Sequence, residues 1–433
     1  MPSNNSLLKR IIKKPKKVDL LLRRSVVTAQ IQHIFSVFDK QNPKQPINPR
    51  NSYMTFLKDI LEPKNDINDN ASAPKENFDY LDLLKAVAIY FVVLYHFNDI
   101  AIDFIHAPSN THYLNYYLKS ILSICVPIFF FVNGALLLHK KELDIGKHFS
   151  KIIKLCLLVI FWGTITLIAL MYNRHLHLSL SQIFRGLWEI KKGWIDHIWF
   201  LEALVVIYIF FPLLFTAFKQ NIKAFYFFFG CVMLLTFGNT LLLNGMTILT
   251  YTTNKFNSFY FDNYFSDFNA FRGIYGYSLG YFMLGGLIFP MRTVLNSKKY
   301  QNLALVTIPL AMLLLSGYGV LASKRANEVW DIVWYGYDHI STLINVVSIF
   351  ILSLRYKSKG LIGKLVSTIG KNSLGIYFVH IIIGDLLQPY FLRLHLSVTF
   401  LSSSVYAFCI LFLSLFIVLM LKKLPFVKQL FTV

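Results

Sequence analysis

Apolar residues run along this chain in ten long blocks separated by shorter polar stretches, an alternation that predicts membrane-crossing helices. The blocks lie near residues 81–100, 116–138, 152–171, 198–217, 222–244, 273–290, 302–321, 339–354, 373–390 and 402–421. A helix needs about 20 apolar residues to cross the roughly 30 Å hydrocarbon core of a bilayer, and the blocks are of that order. The expected fold is therefore all-α: a polytopic integral membrane bundle of about ten transmembrane helices. It would occupy residues 79–424, after an arm over residues 1–78 and before a short tail over 425–433.

Composition agrees with that pattern. Apolar residues make up 55% of the chain and charged ones 15%, against about 25% charged in a soluble domain. Cys125, Cys156, Cys231 and Cys409 all fall in apolar blocks without CxxC or metal spacing, so they read as small hydrophobes. Neither a disulfide framework nor a metal site is expected. The N-terminus has no sustained apolar run ahead of a small-residue site, so no cleavable signal peptide is expected either.

The basic residues assign an orientation. Lys140, Lys141 and Lys147 follow the second block, Lys219 and Lys223 the fourth, and Arg292, Lys298 and Lys299 the sixth. Arg355, Lys357, Lys359, Lys364 and Lys371 follow the eighth, and Lys422, Lys423 and Lys428 the tenth. The loop after the first block has no Lys or Arg, and the loop after the fifth has little beyond Lys255. By the positive-inside rule both termini are expected in the cytoplasm. One outer segment dissents: residues 172–196 carry Arg174, Arg185, Lys191 and Lys192 among Leu, Ile, Phe and Trp, which suggests an amphipathic or re-entrant piece.

The formal charge of +21 would suggest nucleic acid in a soluble protein, but here it follows the inner loops and the arm, and no nucleic-acid partner is expected. The arm interleaves apolar and basic residues over Leu7–Lys17 and Leu20–Arg24. Two readings stand equal there: a segment held to anionic membrane lipids, or a basic tail that only enforces topology. Residues 39–77 read as a linker with a short helix near 51–61.

Inside the first block stand Lys85 and His96. Eleven residues at about 100° each bring them to one helix face, about 16 Å apart along the axis. Ionisable groups in a membrane helix are costly, so a functional site is the leading reading, against a snorkelling lysine and a packed histidine. Asp82, one turn before Lys85, reads either as a first-turn acid favoured by the helix dipole or as the ion-pair partner of Lys85.

Five strings in fixed order then resemble a known family. Leu81-Asp-Leu-Leu-Lys85 ending in Tyr95-His96 resembles the first helix of the acyltransferase-3 membrane acyltransferases. Val126-Pro-Ile-Phe-Phe-Phe-Val-Asn-Gly134 and His197-Ile-Trp-Phe-Leu201, followed by Tyr208 and Pro212, resemble the next two signatures. Tyr281-Phe-Met-Leu-Gly285 and Asn372-Ser-Leu-Gly-Ile-Tyr-Phe-Val-His380 resemble two later ones. The resemblance spans residues 79–424, and within the family it points to short members that O-acetylate surface glycans, such as the enterobacterial common antigen acetyltransferase. Some larger members add a periplasmic esterase-like domain; this chain ends a few residues after its tenth block, so none is expected. Four positions depart from the family pattern. Lys85 stands where arginine is common, Lys151 and Lys154 replace an Arg-x-x-Arg pair, and Asn133 replaces serine. Lysine keeps the charge but lacks the bidentate fork of arginine.

The resemblance implies an O-acyltransferase, most simply an acetyltransferase, in the inner (cytoplasmic) membrane of a bacterium. Its donor would be cytoplasmic acetyl-coenzyme A or another acyl-coenzyme A, used as a co-substrate and not as a bound cofactor. Its acceptor would be an envelope glycan or lipid-linked saccharide. Lys85, Lys151 and Lys154 would meet the donor's phosphates, and His96 would act as general base or as acyl carrier. Glu202, His197, Trp199, Arg272 and Asn133 are the candidate acceptor contacts. His197 and Trp199 could line a sugar site, but a tryptophan is equally a normal interfacial anchor, and Arg272 reads more simply as an interfacial anchor. His380, Asp385 and Ser373 read more simply as packed or hydrogen-bonded groups than as catalytic ones. A glycan exporter or other transporter is the rival reading, but it predicts an internal repeat that the two halves lack. A lipid-linked glycosyltransferase would need an acidic outer site, for which Asp99 and Asp103 alone are a weak signal.

Overall fold

The computed structural model describes residues 78–431 apart from 99, 176, 189–194, 254–268, 272 and 395–398. The arm, Lys191, Lys192, Lys255 and Arg272 therefore lie outside the described residues. The described residues are helical throughout, with turns between helices and no strand. In chain order the helices are α1 (Asp79–His96), α2 (Asn110–Lys119), α3 (Cys125–Leu137), α4 (Ile145–Asn173), α5 (Leu180–Trp188) and α6 (Trp199–Gln220). There follow α7 (Ile222–Met233), α8 (Asn239–Thr253), α9 (Ile274–Ile288), α10 (Arg292–Leu295), α11 (Lys298–Ala326) and α12 (Ile340–Ser353). The last four are α13 (Gly360–Lys371), α14 (Ser373–Arg393), α15 (Phe400–Leu421) and α16 (Pro425–Lys428).

Every apolar block of the sequence is a helix. Among the described residues, eight stretches are long and apolar enough to cross a membrane: Asn110–Leu137, Ile145–Asn173, Asp196–Gln220, Ile222–Thr253, Ile274–Leu295, Lys298–Ala326, Ser373–Arg393 and Phe400–Leu421. The fourth of these, Ile222–Thr253, runs nine residues beyond the expected 244, through one wider π turn at Leu234–Gly238. The remaining two are α1, which carries Asp79, Asp82 and Lys85 within 18 residues, and α12, which has 14. Both are enclosed by other helices, so lipid does not dictate their length or polarity. Leu81, Leu84, Ala88, Ile89, Val93 and Leu94 of α1 are buried, as are Ser341, Thr342, Asn345, Val346 and Phe350 of α12.

α1 is the hub: it packs against α3, α12, α13, α14 and α15. The tightest seam lies beside it, between α3 and α9. A Cβ on Gly134 of α3 would overlap the carbonyl of Phe282, and one on Gly285 of α9 would overlap the carbonyl of Phe131. Each helix thus lays its backbone directly on the other through a glycine, the small-residue solution that packs helices where lipid supplies no hydrophobic drive. This explains physically why the strings around Gly134 and Gly285 contain glycine.

Segment 172–196 includes α5, with Leu180 76% and Phe184 71% exposed beside Arg185. Its first cation has a structural reason to be there. Arg174 donates through Nε to Asp385 Oδ1 at 2.8 Å and through Nη2 at 2.5 Å, while Asn173 donates to the other carboxylate oxygen. Asp385 is only 5% exposed, so the arginine neutralises a carboxylate sunk in α14. Arg174→Gln leaves that carboxylate with Asn173 as its side-chain partner. Because Arg174 is itself half exposed, the expected loss is about 2 kcal/mol, below the full cost of breaking a buried pair. Thermal unfolding in detergent checks it, and the double change with Asp385→Asn recovers part of the loss by removing the stranded charge.

Candidate active site

The two ends of α1 hold the two charged candidates. At its first turns Lys85 Nζ pairs with Asp82 Oδ1 at 2.7 Å, so Asp82 is both a first-turn acid and the partner of Lys85. Asp82 Oδ2 also accepts from Ser367 Oγ at 2.9 Å and lies 3.8 Å from Lys371 Nζ. At the far end α1 stops at His96, four residues short of the expected boundary. The physical reason is Asn98, whose amide donates to the carbonyl of Tyr95, while Phe97 N–H closes on Val93 O at 3.1 Å. Side chain and turn together satisfy carbonyls that a longer helix would have used. His96 is thus a terminal residue, about 16 Å from Lys85 along an unbroken helix.

Around His96 the chain gathers two more imidazoles from distant elements. The His96 ring lies 5.4 Å from that of His380 on α14 and 6.4 Å from that of His197, in the turn before α6. The rings of His197 and His380 are 5.9 Å apart. The three differ in access: His197 is 5% exposed and His380 fully enclosed, while His96 is exposed. Tyr377, one turn before His380, locks the arrangement. Its hydroxyl donates to the carbonyl of His197, and its own carbonyl accepts from His380 Nδ1 at 2.6 Å. That bond makes Nδ1 of His380 the protonated nitrogen. Nε2 of His380 and Nε2 of His197 are buried without a partner. Among the described residues no group of three or more His, Cys, Asp or Glu side chains could hold a metal ion.

The loop between α11 and α12 closes over this end. Asp331 takes N–H bonds from Val333 and Trp334 on Oδ1, at 3.0 and 3.2 Å, and the Tyr95 hydroxyl on Oδ2 at 2.7 Å. The residue beside His96 is therefore pinned by a carboxylate 236 positions away in sequence. Trp334 meets Trp199 edge-on at 5.2 Å, and Tyr277 and Tyr337 complete that aromatic group. Asp338, in the same loop, accepts from Thr240 Oγ1 at 2.9 Å, and burial pushes its carboxyl above the ordinary range.

A family model described as an acyltransferase domain matches residues 78–423, four-fifths of the chain and the whole of the bundle just described. The chain belongs to the acyltransferase-3 family. No curated protein and no solved structure matches it.

This acyltransferase-3 chain distributes the other candidates unevenly. Its cations form two groups on different helices: Lys85 with Lys371 around Asp82, and Lys151 near Lys140 at the start of α4. Burial, and then the charge of Lys151, push the Lys140 ammonium below its ordinary value. Lys154 lies one turn beyond Lys151 and is half-buried. Glu202, also half-buried, accepts from the Tyr275 hydroxyl. Trp199 is 6% exposed and packs in the aromatic group, while Asn133 turns its amide back to Phe129 O at 2.9 Å. Ser373 is the first residue of α14, after the N-cap Asn372. The sequence offers Tyr95 only as part of the first-helix string and does not single out Asp331 or Trp334, while His380 is the packed, hydrogen-bonded histidine expected, here beside His96.

Proposed function

We propose that this membrane acyltransferase takes an acyl group, acetyl in the simplest case, from cytoplasmic acyl-coenzyme A. It passes that group to a hydroxyl of an envelope glycan or lipid-linked saccharide, in the inner membrane of a bacterium and with both chain termini cytoplasmic. One observation supports the reading most: a single enclosed helix carries a cation at one end and an exposed imidazole, flanked by two buried ones, at the other.

The Lys85–His96 separation is of the order of a pantetheine arm. Phosphates held at Lys85, with Lys151 and Lys154 as further cations, leave the thioester within reach of His96. Neutral His96 takes the proton of the acceptor hydroxyl as its oxygen attacks the thioester carbonyl. The C–S bond breaks, the ester forms, and the departing thiolate takes the proton from the imidazolium. The Asp331 carboxylate, through Tyr95, holds the adjoining residue in place. Its negative charge favours the imidazolium that forms when His96 takes the proton. The aromatic group around Trp199 and Trp334 suits the face of a pyranose ring.

The test is transfer from labelled acetyl-coenzyme A in membranes with and without the chain. Label is expected in envelope carbohydrate only when the chain is present and the donor reaches the cytoplasmic face. Transfer from a different acyl-coenzyme A alone would overturn the acetyl assignment, and no transfer from any acyl-coenzyme A would overturn the donor.

A further inference from the structure

α13 is a helix of twelve residues, about 18 Å long and too short to cross a bilayer. One side of it is sealed: a Cβ on the buried Gly370 would overlap the carbonyl of Asp82 in α1, and one on the buried Gly363 would overlap Ser358 just before α13. The other side is divided lengthwise. At about 100° per residue Leu361 and Leu365 share one edge, with Ile362 beside them, while Lys364 and Lys371 share the next. Leu361 is 85%, Ile362 77% and Leu365 39% exposed, and both lysines are exposed. Arg355, Lys357 and Lys359, just before the helix, are exposed as well. Between Asp338 and Asp385 the chain contains no acidic residue.

An apolar edge beside a cationic edge is the form of a helix that lies in a membrane interface. A soluble anion would satisfy the cations and leave Leu361 and Ile362 in water. An anionic phospholipid satisfies both edges, headgroup to lysine and acyl chain to leucine. We propose that α13 and the cations before it form a docking surface for anionic phospholipid of the leaflet on which they lie. The surface has an inward connection. Lys371 and Ser367 hold the same Asp82 carboxylate that holds Lys85, so docking sets the position of that lysine. This last step rests on the donor role of Lys85 proposed above.

The experiment compares the full chain with a Lys357→Gln/Lys359→Gln/Lys364→Gln variant. Both are reconstituted in phosphatidylethanolamine with and without phosphatidylglycerol, and retained lipid is read by native mass spectrometry. The expected result is several-fold less phosphatidylglycerol on the variant, unchanged phosphatidylethanolamine, and a donor KM raised only where phosphatidylglycerol is present. Equal retention of phosphatidylglycerol overturns the docking surface, whatever the activity. Lost retention with an unchanged KM overturns the link to Lys85 and leaves the surface standing. The lipid readout needs no turnover, so a failed acyltransferase assay does not disturb it.

Discussion

Acyl transfer by the His96→Ala chain falls by a factor of about 10²–10⁴, the usual worth of a positioned general base. The reason is access as much as chemistry. Three imidazoles meet at this end of α1, but His197 and His380 are enclosed and His96 is exposed, so it is the one open to an incoming hydroxyl. His96→Gln keeps a polar side chain of similar reach yet accepts no proton at neutral pH, and is expected to lose as much. The expected pattern is a fall in kcat with little change in donor KM, because the phosphate site proposed above is at the other end of the helix. Added imidazole, entering the space vacated in the alanine chain, should restore part of the rate. Wild-type kcat in either variant, at matched protein in the membrane, would remove His96 from the mechanism.

The second large effect is on assembly. Gly134→Ala or Gly285→Ala places a methyl group where a carbonyl oxygen of the facing helix already sits. Neither neighbour is a flexible side chain that can swing aside, so α3 and α9 must separate along their seam. A cost of more than about 3 kcal/mol is expected, at the upper end for overpacking. The double variant should lose little beyond either single one, since one methyl already parts the backbones. Midpoints of thermal unfolding, or the monodisperse fraction on size exclusion in detergent, read this directly. Two independent, additive losses would mean that the glycines do not share one seam.

The helices were legible because each block of apolar residues is long and bounded by charge, and periodicity reports that locally. The pairing of Asp82 with Lys85 was legible for the same reason, since one turn of helix separates them. The site was legible only where it is local. The stacking of Lys85 and His96 along one helix needs no tertiary knowledge. The approach of His380 and His197 to His96 depends on how α1, α6 and α14 pack, and no spacing in the sequence encodes it. Asp331 is the clearest case: it sits in a loop without periodicity, and its contact with Tyr95 spans 236 residues. Arg174 stands apart from the alternation of basic loops, and its partner, Asp385, lies 211 residues further on. A charge count sees the cation but not the carboxylate that cancels it.

The seam between α3 and α9 also bears on what can move. Two backbones in direct contact leave no layer of side chains to slide over, and neither lipid nor water can enter between them. The helices most open to lipid are elsewhere: 33% of the apolar core of 145–173 and 22% of that of 222–253 is buried, against 78% for 110–137. Slow rearrangement of the kind that opens and closes transporters belongs to such loosely held elements. The seam beside α1 therefore opposes any rocking of one half of the bundle on the other, because the two backbones would have to part before either could shift.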